Sequence, residues 1–524
     1  MAERRTDPSA RPPASRTWLV VALALLALRL PGGSGPMSDP HVWRQLDTHH
    51  VALDFHRHGI DLFHPAVTWL GDHRTIILNF PITEALSALL YRAFGPDPWW
   101  DRMVSLAFFV VATLYLLGLA RRLMPERAAR LATLAWLAFP LGQYFSFVPH
   151  IEFTVIAGVN GFAYHGVRAL TERSWRHAAG AALAGALAAL VKGPYLAVAL
   201  APLALLLLRT WSWGNAARAA LALAVPVAAF LWWRGHADAV NARVPDWTFL
   251  PDFYKEVNPL WRWMGTLAER QDPDNWFVIA RRLWREVATP LGVAFAAAAL
   301  LHPAPPGEGD APGVRRAPLG ARPFLAASGL ALAFHVAFFF RLNLWHNYYQ
   351  VPFLAPAALA VGLGADLAWR RLPRLGPLPL GAAAFALFLA LAAWAPWRLG
   401  YRWVDWVRIE AAKRAAQIVP PGGLVVASDV TTLPPTDPRL LARMDRYGWP
   451  MRAHEITAER LARLRAYGAR WVVVVRDDAR PDVAPPAFLG PALAAHEPVL
   501  HAGRRIGELW VYDLDRGGWQ GGGR

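Results

Sequence analysis

The chain has 524 residues, of which 55% are hydrophobic and 18% are charged, and its mean hydropathy is +0.23. Soluble domains hold about 45–50% apolar and about 25% charged residues, so this composition excludes an ordinary soluble protein and favours a polytopic membrane protein. The net charge of +16 would also fit a nucleic-acid-binding protein. The arginines, however, form short clusters between apolar runs, as the positive-inside rule predicts, so we expect a bilayer and no nucleic acid as partner. Since cysteine is absent, disulfides and thiolate chemistry are excluded.

The chain begins with a polar tail, residues 1–16, which is predicted to be disordered and cytoplasmic. The apolar segment Trp18–Leu30 follows several arginines, as in a signal peptide, but no A-x-A cleavage motif comes after it. It is therefore predicted to be an uncleaved first span. An outer loop at 31–80 follows. It is crowded with acids and histidines, namely Asp39, Asp47, Asp54, Asp61, Asp72, His41, His49, His50, His56, His58, His64 and His73. We expect chemistry in this loop; the alternative is a solvated linker.

Apolar runs in the rest of the first 400 residues predict ten further spans. They are Met103–Ala120, Leu131–Phe147, Phe153–Leu170, Ala178–Val191, Tyr195–Leu208, Ala217–Trp233, Val287–Leu301, Phe324–Phe340, Tyr349–Trp369 and Leu378–Trp394. Phe80–Phe94 is either a short span or an interfacial helix, and 234–285 is predicted to be a second outer loop. If Phe80–Phe94 does not span, all arginine clusters fall on the cytoplasmic side of a plasma (inner) membrane protein, with the C terminus outside.

The predicted fold class is mostly α: a polytopic membrane helical bundle of about 11–13 spans over residues 17–400, with interfacial helices in its outer loops. A small extracytoplasmic α/β domain is predicted over 401–517, followed by a flexible tail, 518–524. In that domain Gly423–Ala427 and Trp471–Arg476 predict strands, and Val499–His501 with Glu508–Tyr512 predict a hairpin. Helices are predicted at Arg439–Met444 and Ile456–Tyr467.

Three ionisable residues stand inside or beside apolar runs, where charge is costly and usually functional. Lys192, in Leu190-Val-Lys-Gly-Pro194, is predicted at the outer membrane face, where an ammonium could bind a lipid-linked phosphate. The alternative is a lysine that snorkels from a helix end. His335 is interpreted as a hydrogen-bonded core histidine, and Glu152 as an interfacial residue.

The histidines of the first outer loop do not have the spacing of metal ligands. His49 and His50 are adjacent, other pairs are eight residues apart, and no H-E-x-x-H motif occurs. No protein-bound metal is therefore predicted. The alternative of a divalent cation that is held by a carboxylate and a substrate phosphate stays open.

Several motifs together resemble a bacterial branch of the GT-C glycosyltransferases, related to the protein O-mannosyltransferases and the lipid A aminoarabinose transferases. They are Trp43-Arg-Gln-Leu-Asp-Thr48 followed by Val51-Ala-Leu-Asp-Phe55, Asn79-Phe-Pro-Ile-Thr-Glu84 through Gly95, Val191-Lys-Gly-Pro194, His346-Asn-Tyr-Tyr-Gln-Val-Pro-Phe-Leu-Ala-Pro356 and Asp445-Arg-Tyr-Gly-Trp449. The resemblance covers nearly the whole chain, and the order and spacing of the motifs are more specific than any one of them.

The resemblance implies transfer of a sugar from a polyprenyl-phosphate carrier to a hydroxyl of a lipid, glycan or protein acceptor. A carboxylate of the first outer loop would act as general base, and cations would stabilise the phosphate leaving group. Relatives with an Asp-Glu pair carry two adjacent acids where this chain has Asp39-Pro40. Asp39 and Asp47 are thus both candidate bases, with Asp47 favoured because it lies within the Trp43–Thr48 motif.

The same resemblance makes Arg44, Lys192, His346 and Tyr349 candidates for contacts with the phosphate or sugar. Tyr348 and Tyr349 could instead belong to an aromatic belt at the membrane interface. Two other classes of protein are considered, a transporter or flippase and a non-catalytic membrane assembly protein. A transporter would show repeats and paired broken helices, and the sequence has one break, Lys192-Gly-Pro194, without a matching second.

Overall fold

The computed structural model describes residues 16–31, 33, 35–248, 263–302, 316–429, 436–479 and 483–516. The predicted terminal tails therefore lie outside the described residues, except for Arg16. Part of the predicted second outer loop, 249–262, lies outside them as well.

The regular secondary structure of the described part up to residue 400 is helical, apart from a short β-ribbon. They are α1 Thr17–Ala27, α2 Val42–His58, α3 Ile82–Phe94, α4 Pro98–Leu123, α5 Glu126–Ala138, α6 Pro140–Phe145, α7 Glu152–Thr171, α8 Trp175–Lys192, α9 Ala197–Arg209, α10 Trp213–Asn241, α11 Leu267–Gln271, α12 Pro273–Arg282, α13 Pro290–Leu301, α14 Ala321–Phe338, α15 Phe340–Trp345, α16 Leu354–Arg371 and α17 Leu380–Arg398. The ribbon joins β1 Arg374–Leu375 to β2 Leu378–Pro379.

Six helices in the described residues are long and apolar enough to cross a membrane, or seven if the bent pair Pro273–Val287 and Pro290–Leu301 forms one span. This number is lower than the predicted 11–13. Three predicted spans fall below such limits because α1 and α5 are short and α7 contains polar residues along its length, such as Asn160, His165 and Arg168. The bent pair turns by 92°, so the chain contains a second broken helix that the sequence did not indicate.

The helical stretch Trp175–Arg209 contains two antiparallel segments. Gly180 of α8 lies against His165 of α7, and the next residue of α7, Gly166, lies against Leu203 of α9. In one straight helix, positions 180 and 203 would stand ~35 Å apart. The chain therefore reverses at the 3₁₀ turn Gly193–Leu196, as the two separate predicted spans require. This reversal divides one of the six long apolar helices into two segments of the bundle.

The C-terminal region is a mixed α/β unit built on a five-stranded sheet of order β4-β3-β5-β7-β6. Its elements are α18 Trp406–Ile418, β3 Leu424–Ser428, α19 Arg439–Met444, β4 Gly448–Pro450, α20 Ala458–Ala466, β5 Ala469–Asp477, β6 Leu493–His501 and β7 Arg504–Asp513. Strand β3 pairs in parallel with β4 and β5, and β7 pairs antiparallel with β5 and β6. Both predicted strands and the predicted hairpin are thus present, and α18 and β4 are additional.

The first outer loop packs directly onto this C-terminal unit. The backbone N–H of Gly71 donates to the carbonyl of Gly448 at 2.8 Å, and the N–H of Gly448 donates to Thr68 at 2.9 Å. Trp69 is buried in a shared apolar cluster with α18, α19 and the sheet. The loop is therefore held between the helical bundle and the sheet, and this packing positions its side chains.

Candidate active site

A cavity of about 460 Å³ opens where the first outer loop meets the ends of several bundle helices. Four of the predicted site residues, which are up to 305 positions apart in sequence, line it together: Arg44, Lys192, His346 and Tyr349. Arg234 and Arg341 add two more guanidinium groups, each paired with a carboxylate. A cavity with this surplus of cationic groups fits an anionic ligand such as a phosphate.

Lys192 is held at the 3₁₀ turn after α8 by one acid and three aromatic rings. Its Nζ lies 2.7 Å from Oε1 of Glu152, and it donates to the hydroxyl of Tyr195 at 2.9 Å. The same Nζ stands 3.8 Å from the ring centroid of Tyr349 and 4.6 Å from that of Tyr348. These contacts fix the ammonium at the cavity wall, and both tyrosines line the cavity.

Glu152 corrects an expectation from the sequence. It was interpreted as an interfacial residue, but it is fully buried at the first turn of α7, where it forms the ion pair with Lys192. Its partner is 40 residues away, so no local pattern could reveal the pair. By contrast His335, interpreted as a core histidine, is fully buried with Nε2 3.1 Å from the carbonyl of Tyr349.

Helix α2 places Arg44 and Asp47 one turn apart on a buried face. Arg44 donates to Oδ1 of Asn79, and its Nη1 stands 3.9 Å from Oδ2 of Asp47. Oδ1 of Asp47 accepts from the indole N–H of Trp69 at 2.9 Å. Oδ2 accepts no hydrogen bond among the described residues, so it is available to a proton donor.

Asp47 faces a second, small cavity that shares Arg44 and Asn79 with the large one. Glu84, at the first turn of α3, lines the same small cavity and accepts from Asn79 at 3.4 Å. Burial raises the pKa of Asp47 to about 7, against the opposing influence of Arg44 and Trp69. Burial likewise raises the pKa of Glu84 to about 7. Burial thus brings the pKa values of both carboxyl groups close to neutral pH.

Asp39 occupies a different place from Asp47. Its Oδ1 accepts from the backbone N–H of Val42 at 3.3 Å, and its backbone pairs with Trp403. It does not line either of the two cavities, and its charge acts on Arg439 and Arg443 in the C-terminal region. The geometry thus gives Asp39 the role of anchoring the start of α2 and gives Asp47 the place beside the cavity.

His346 is held by ring stacking in the short segment before α16. Its ring is parallel to that of Tyr348, with centroids 5.0 Å apart, and the edge of His41 meets it at 5.2 Å. Nε2 of His41 lies 3.0 Å from Oδ1 of Asn347, whose amide donates to Glu286 at 2.8 Å. This chain of contacts connects the cavity to the bent helix pair through Glu286, which sequence reasoning did not single out.

Replacing Tyr349 by Leu is expected to lower the thermal unfolding midpoint, because it removes the ring below the Lys192 ammonium. A cation–π contact of a desolvated lysine contributes about 0.5–2 kcal/mol. Tyr349→Phe keeps the ring, so its unfolding midpoint should fall less than that of Tyr349→Leu. Thermal denaturation of both variants in detergent checks this, and equal midpoints for the two would show that the ring does not stabilise the lysine.

Among the described residues, no three histidine, aspartate or glutamate side chains converge as ligands of a metal ion. Asp47 and Glu84 are the carboxyl groups at the small cavity that could share a divalent cation with a substrate phosphate.

The chain is similar to one protein-family model and to several solved structures, three of which are described here. Residues 79–233 match the model of the dolichyl-phosphate-mannose-protein mannosyltransferase family. This segment includes Asn79, Glu84, Glu152 and Lys192. Among curated protein sequences, none matches this chain.

The three structures are all matched over most of this chain. ArnT from Cupriavidus metallidurans bound to undecaprenyl phosphate has a TM-score of 0.59 at 14% identity, over 95% of this chain and 98% of ArnT. The arabinofuranosyltransferase AftD from Mycobacteria has a TM-score of 0.53 at 16% identity, over 95% of this chain and 40% of AftD. The third structure is the archaeal oligosaccharyltransferase AglB from Archaeoglobus fulgidus in complex with an inhibitory peptide and a dolichol-phosphate. It has a TM-score of 0.50 at 15% identity, over 87% of this chain and 68% of AglB.

At these identities the likeness is one of fold. The chain has the fold of the GT-C membrane glycosyltransferases.

Proposed function

We propose that this protein transfers a sugar from a polyprenyl-phosphate carrier to a hydroxyl group of an acceptor at the outer face of the plasma membrane. Fold alone does not establish an activity, so the proposal rests on the site. The observation that carries it is the 460 Å³ cavity in which Arg44, Lys192, His346 and Tyr349 meet beside the buried carboxyl of Asp47.

In the proposed reaction Asp47 is the general base. Its carboxylate takes the proton of the acceptor hydroxyl while that oxygen attacks the anomeric carbon of the sugar. The bond from the anomeric carbon to the phosphate oxygen breaks, and its electron pair leaves with the polyprenyl phosphate. Lys192 and Arg44 stabilise the charge on that phosphate, so no strong acid is needed to protonate it.

The immediate test is binding of undecaprenyl phosphate, with undecaprenol as the matched neutral ligand. The purified chain in neutral detergent is titrated with each, and bound ligand is counted by native mass spectrometry. We expect undecaprenyl phosphate to bind and Lys192→Gln to weaken it about tenfold, because a charge-assisted contact is lost. Equal binding of the alcohol and the phosphate would contradict a phosphate site.

Transfer itself is tested with a panel of polyprenyl-phosphate pentoses and hexoses and with lipid, glycan and protein acceptors. A product that depends on Asp47 identifies the chain as an enzyme. Phosphate binding without any product across the panel would favour the transporter or assembly alternatives. The second broken helix at Ala288–Thr289 keeps the transporter in this comparison.

The transfer rate should depend on pH through the carboxyl of Asp47. A general base acts in its deprotonated form, and the pKa of Asp47 is raised to about 7. We therefore expect kcat/KM to rise as pH increases from 6 to 8 and then to level off.

The groups that act on this carboxyl are Arg44, Trp69, Asp437 and Glu84. Because the charge of Glu84 raises the pKa of Asp47, Glu84→Gln should move the inflection to lower pH. A pH–rate profile of each protein checks this. A rate that is flat from pH 6 to 8 in the wild type would remove Asp47 as the titrating base.

A further inference from the structure

A second cavity, of about 300 Å³, lies at the opposite end of the bundle from the candidate active site. It is built where α4 ends, α14 begins and α16 ends. Helix α16 starts directly after the segment with Tyr348 and Tyr349, and Arg370 lies ~24 Å along it from Leu354. The two cavities are therefore separate sites on different faces of the protein.

The second cavity is lined by both basic and apolar side chains. Arg316, Arg322 and Arg370 line it together with one acid, Asp366. Both oxygens of that acid are engaged: Oδ1 lies 2.5 Å from Nε of Arg127, and Oδ2 lies 3.0 Å from Nε of Arg370. Three guanidinium groups and one carboxylate leave the lining with a net charge of +2.

Arg322 is the cation at this cavity that is best placed to accept a ligand. It has no hydrogen-bond or ion-pair partner in the part of the chain that the structure describes, whereas Arg370 is paired with Asp366. The remaining walls are apolar and include Leu123, Met124, Leu363 and Leu367. A ligand for this cavity must therefore combine a negative group with a hydrophobic body.

The backbone supports the same polarity. Helix α14 begins at this cavity, its N-cap Gly320 provides no capping side chain, and its third residue is Pro323. The N–H groups and the dipole of a first turn attract anions. The arginines and the N-terminus of α14 therefore both favour a negatively charged ligand.

We propose that this cavity binds the phosphate-bearing headgroup of an acidic phospholipid, with its acyl chains against the apolar walls. Basic cavities between membrane helices on the cytoplasmic side bind such headgroups, and this is the end of the bundle that carries the arginine clusters. Free phosphate offers the same charge, but the apolar lining favours the lipid. The proposal is independent of sugar transfer.

The test uses the purified full-length chain in neutral detergent. It is titrated with phosphatidylglycerol, phosphatidylcholine and inorganic phosphate, and bound lipid and the unfolding midpoint are measured. We expect phosphatidylglycerol to bind selectively and raise the midpoint, because a ligand of the folded state stabilises it. Arg322→Gln should weaken this binding about tenfold, and Arg322→Lys less. Arg176→Gln removes an exposed arginine from the same face but outside the cavity, and it should bind as the wild type does.

Three results would overturn the proposal. Equal affinity for phosphatidylglycerol and phosphatidylcholine would show that the headgroup charge is not recognised. Equal losses in Arg322→Gln and Arg176→Gln would show diffuse surface attraction. Stabilisation by inorganic phosphate as large as by phosphatidylglycerol would assign the cavity to free phosphate. Because binding is read without sugar transfer, none of these outcomes depends on the proposed enzyme activity.

Discussion

Replacing Asp47 by Asn is expected to reduce sugar transfer by roughly 10²–10⁴-fold, the usual contribution of a general base. The amide keeps the size of the carboxyl, and its oxygen can still accept from the Trp69 indole that lies 2.9 Å from Oδ1. The variant should therefore fold and still bind undecaprenyl phosphate. The measurement is kcat/KM in the transfer assay together with the binding titration.

Two other aspartates serve as controls for this prediction. Asp61→Asn changes an exposed acid of the same loop and should transfer at the wild-type rate. Asp39→Asn should affect the unfolding midpoint more than transfer, because Asp39 contacts the start of α2 and lies outside both cavities of the site. If Asp39→Asn loses transfer at normal stability while Asp47→Asn keeps it, the assignment of the base is wrong.

Removing Glu152 should destabilise the protein strongly. Glu152→Gln removes the fully buried carboxylate and leaves the Lys192 ammonium, whose side chain is 12% exposed, without its ion-pair partner. Breaking a buried ion pair in this way costs up to about 3–5 kcal/mol. The double variant Glu152→Gln/Lys192→Met removes both charges, so much of that loss should be recovered. Thermal denaturation of the single and double variants measures both effects.

Activity should not follow stability in this series. Lys192→Met removes the cation that we propose stabilises the leaving phosphate, and such electrostatic groups contribute about 10²–10³ in rate. The double variant should thus be stable and remain inactive. Glu172→Gln, just past the other end of α7, is a matched control with little expected effect on transfer. A double variant with wild-type transfer would give the ion pair a structural role alone.

The sequence determined the class of structure because membrane spans are local in sequence. A run of apolar residues long enough to cross a bilayer must satisfy its own backbone hydrogen bonds as a helix. The two spans on either side of Lys192-Gly-Pro194 were predicted for this reason, and the reversal at Gly193–Leu196 agrees. The strands and the hairpin of the C-terminal unit were also predicted from local pattern.

The site was only partly predictable, since its interactions connect distant positions. Arg44, Lys192, His346 and Tyr349 could be named from motifs, but their convergence on one cavity is a property of the packed bundle. The difference between Asp39 and Asp47 was likewise open, because both lie in the same loop and only burial separates them.

What the sequence by itself determined is therefore the membrane bundle, the small α/β unit and the loop in which acids are concentrated. Only the tertiary structure decided that Glu152 pairs with Lys192, that Trp69 and Glu84 accompany Asp47, and that a second basic cavity exists. The physical reason is that helices form from contacts within a few residues. Buried charges, in contrast, are tolerated only where the fold supplies a partner from elsewhere in the chain.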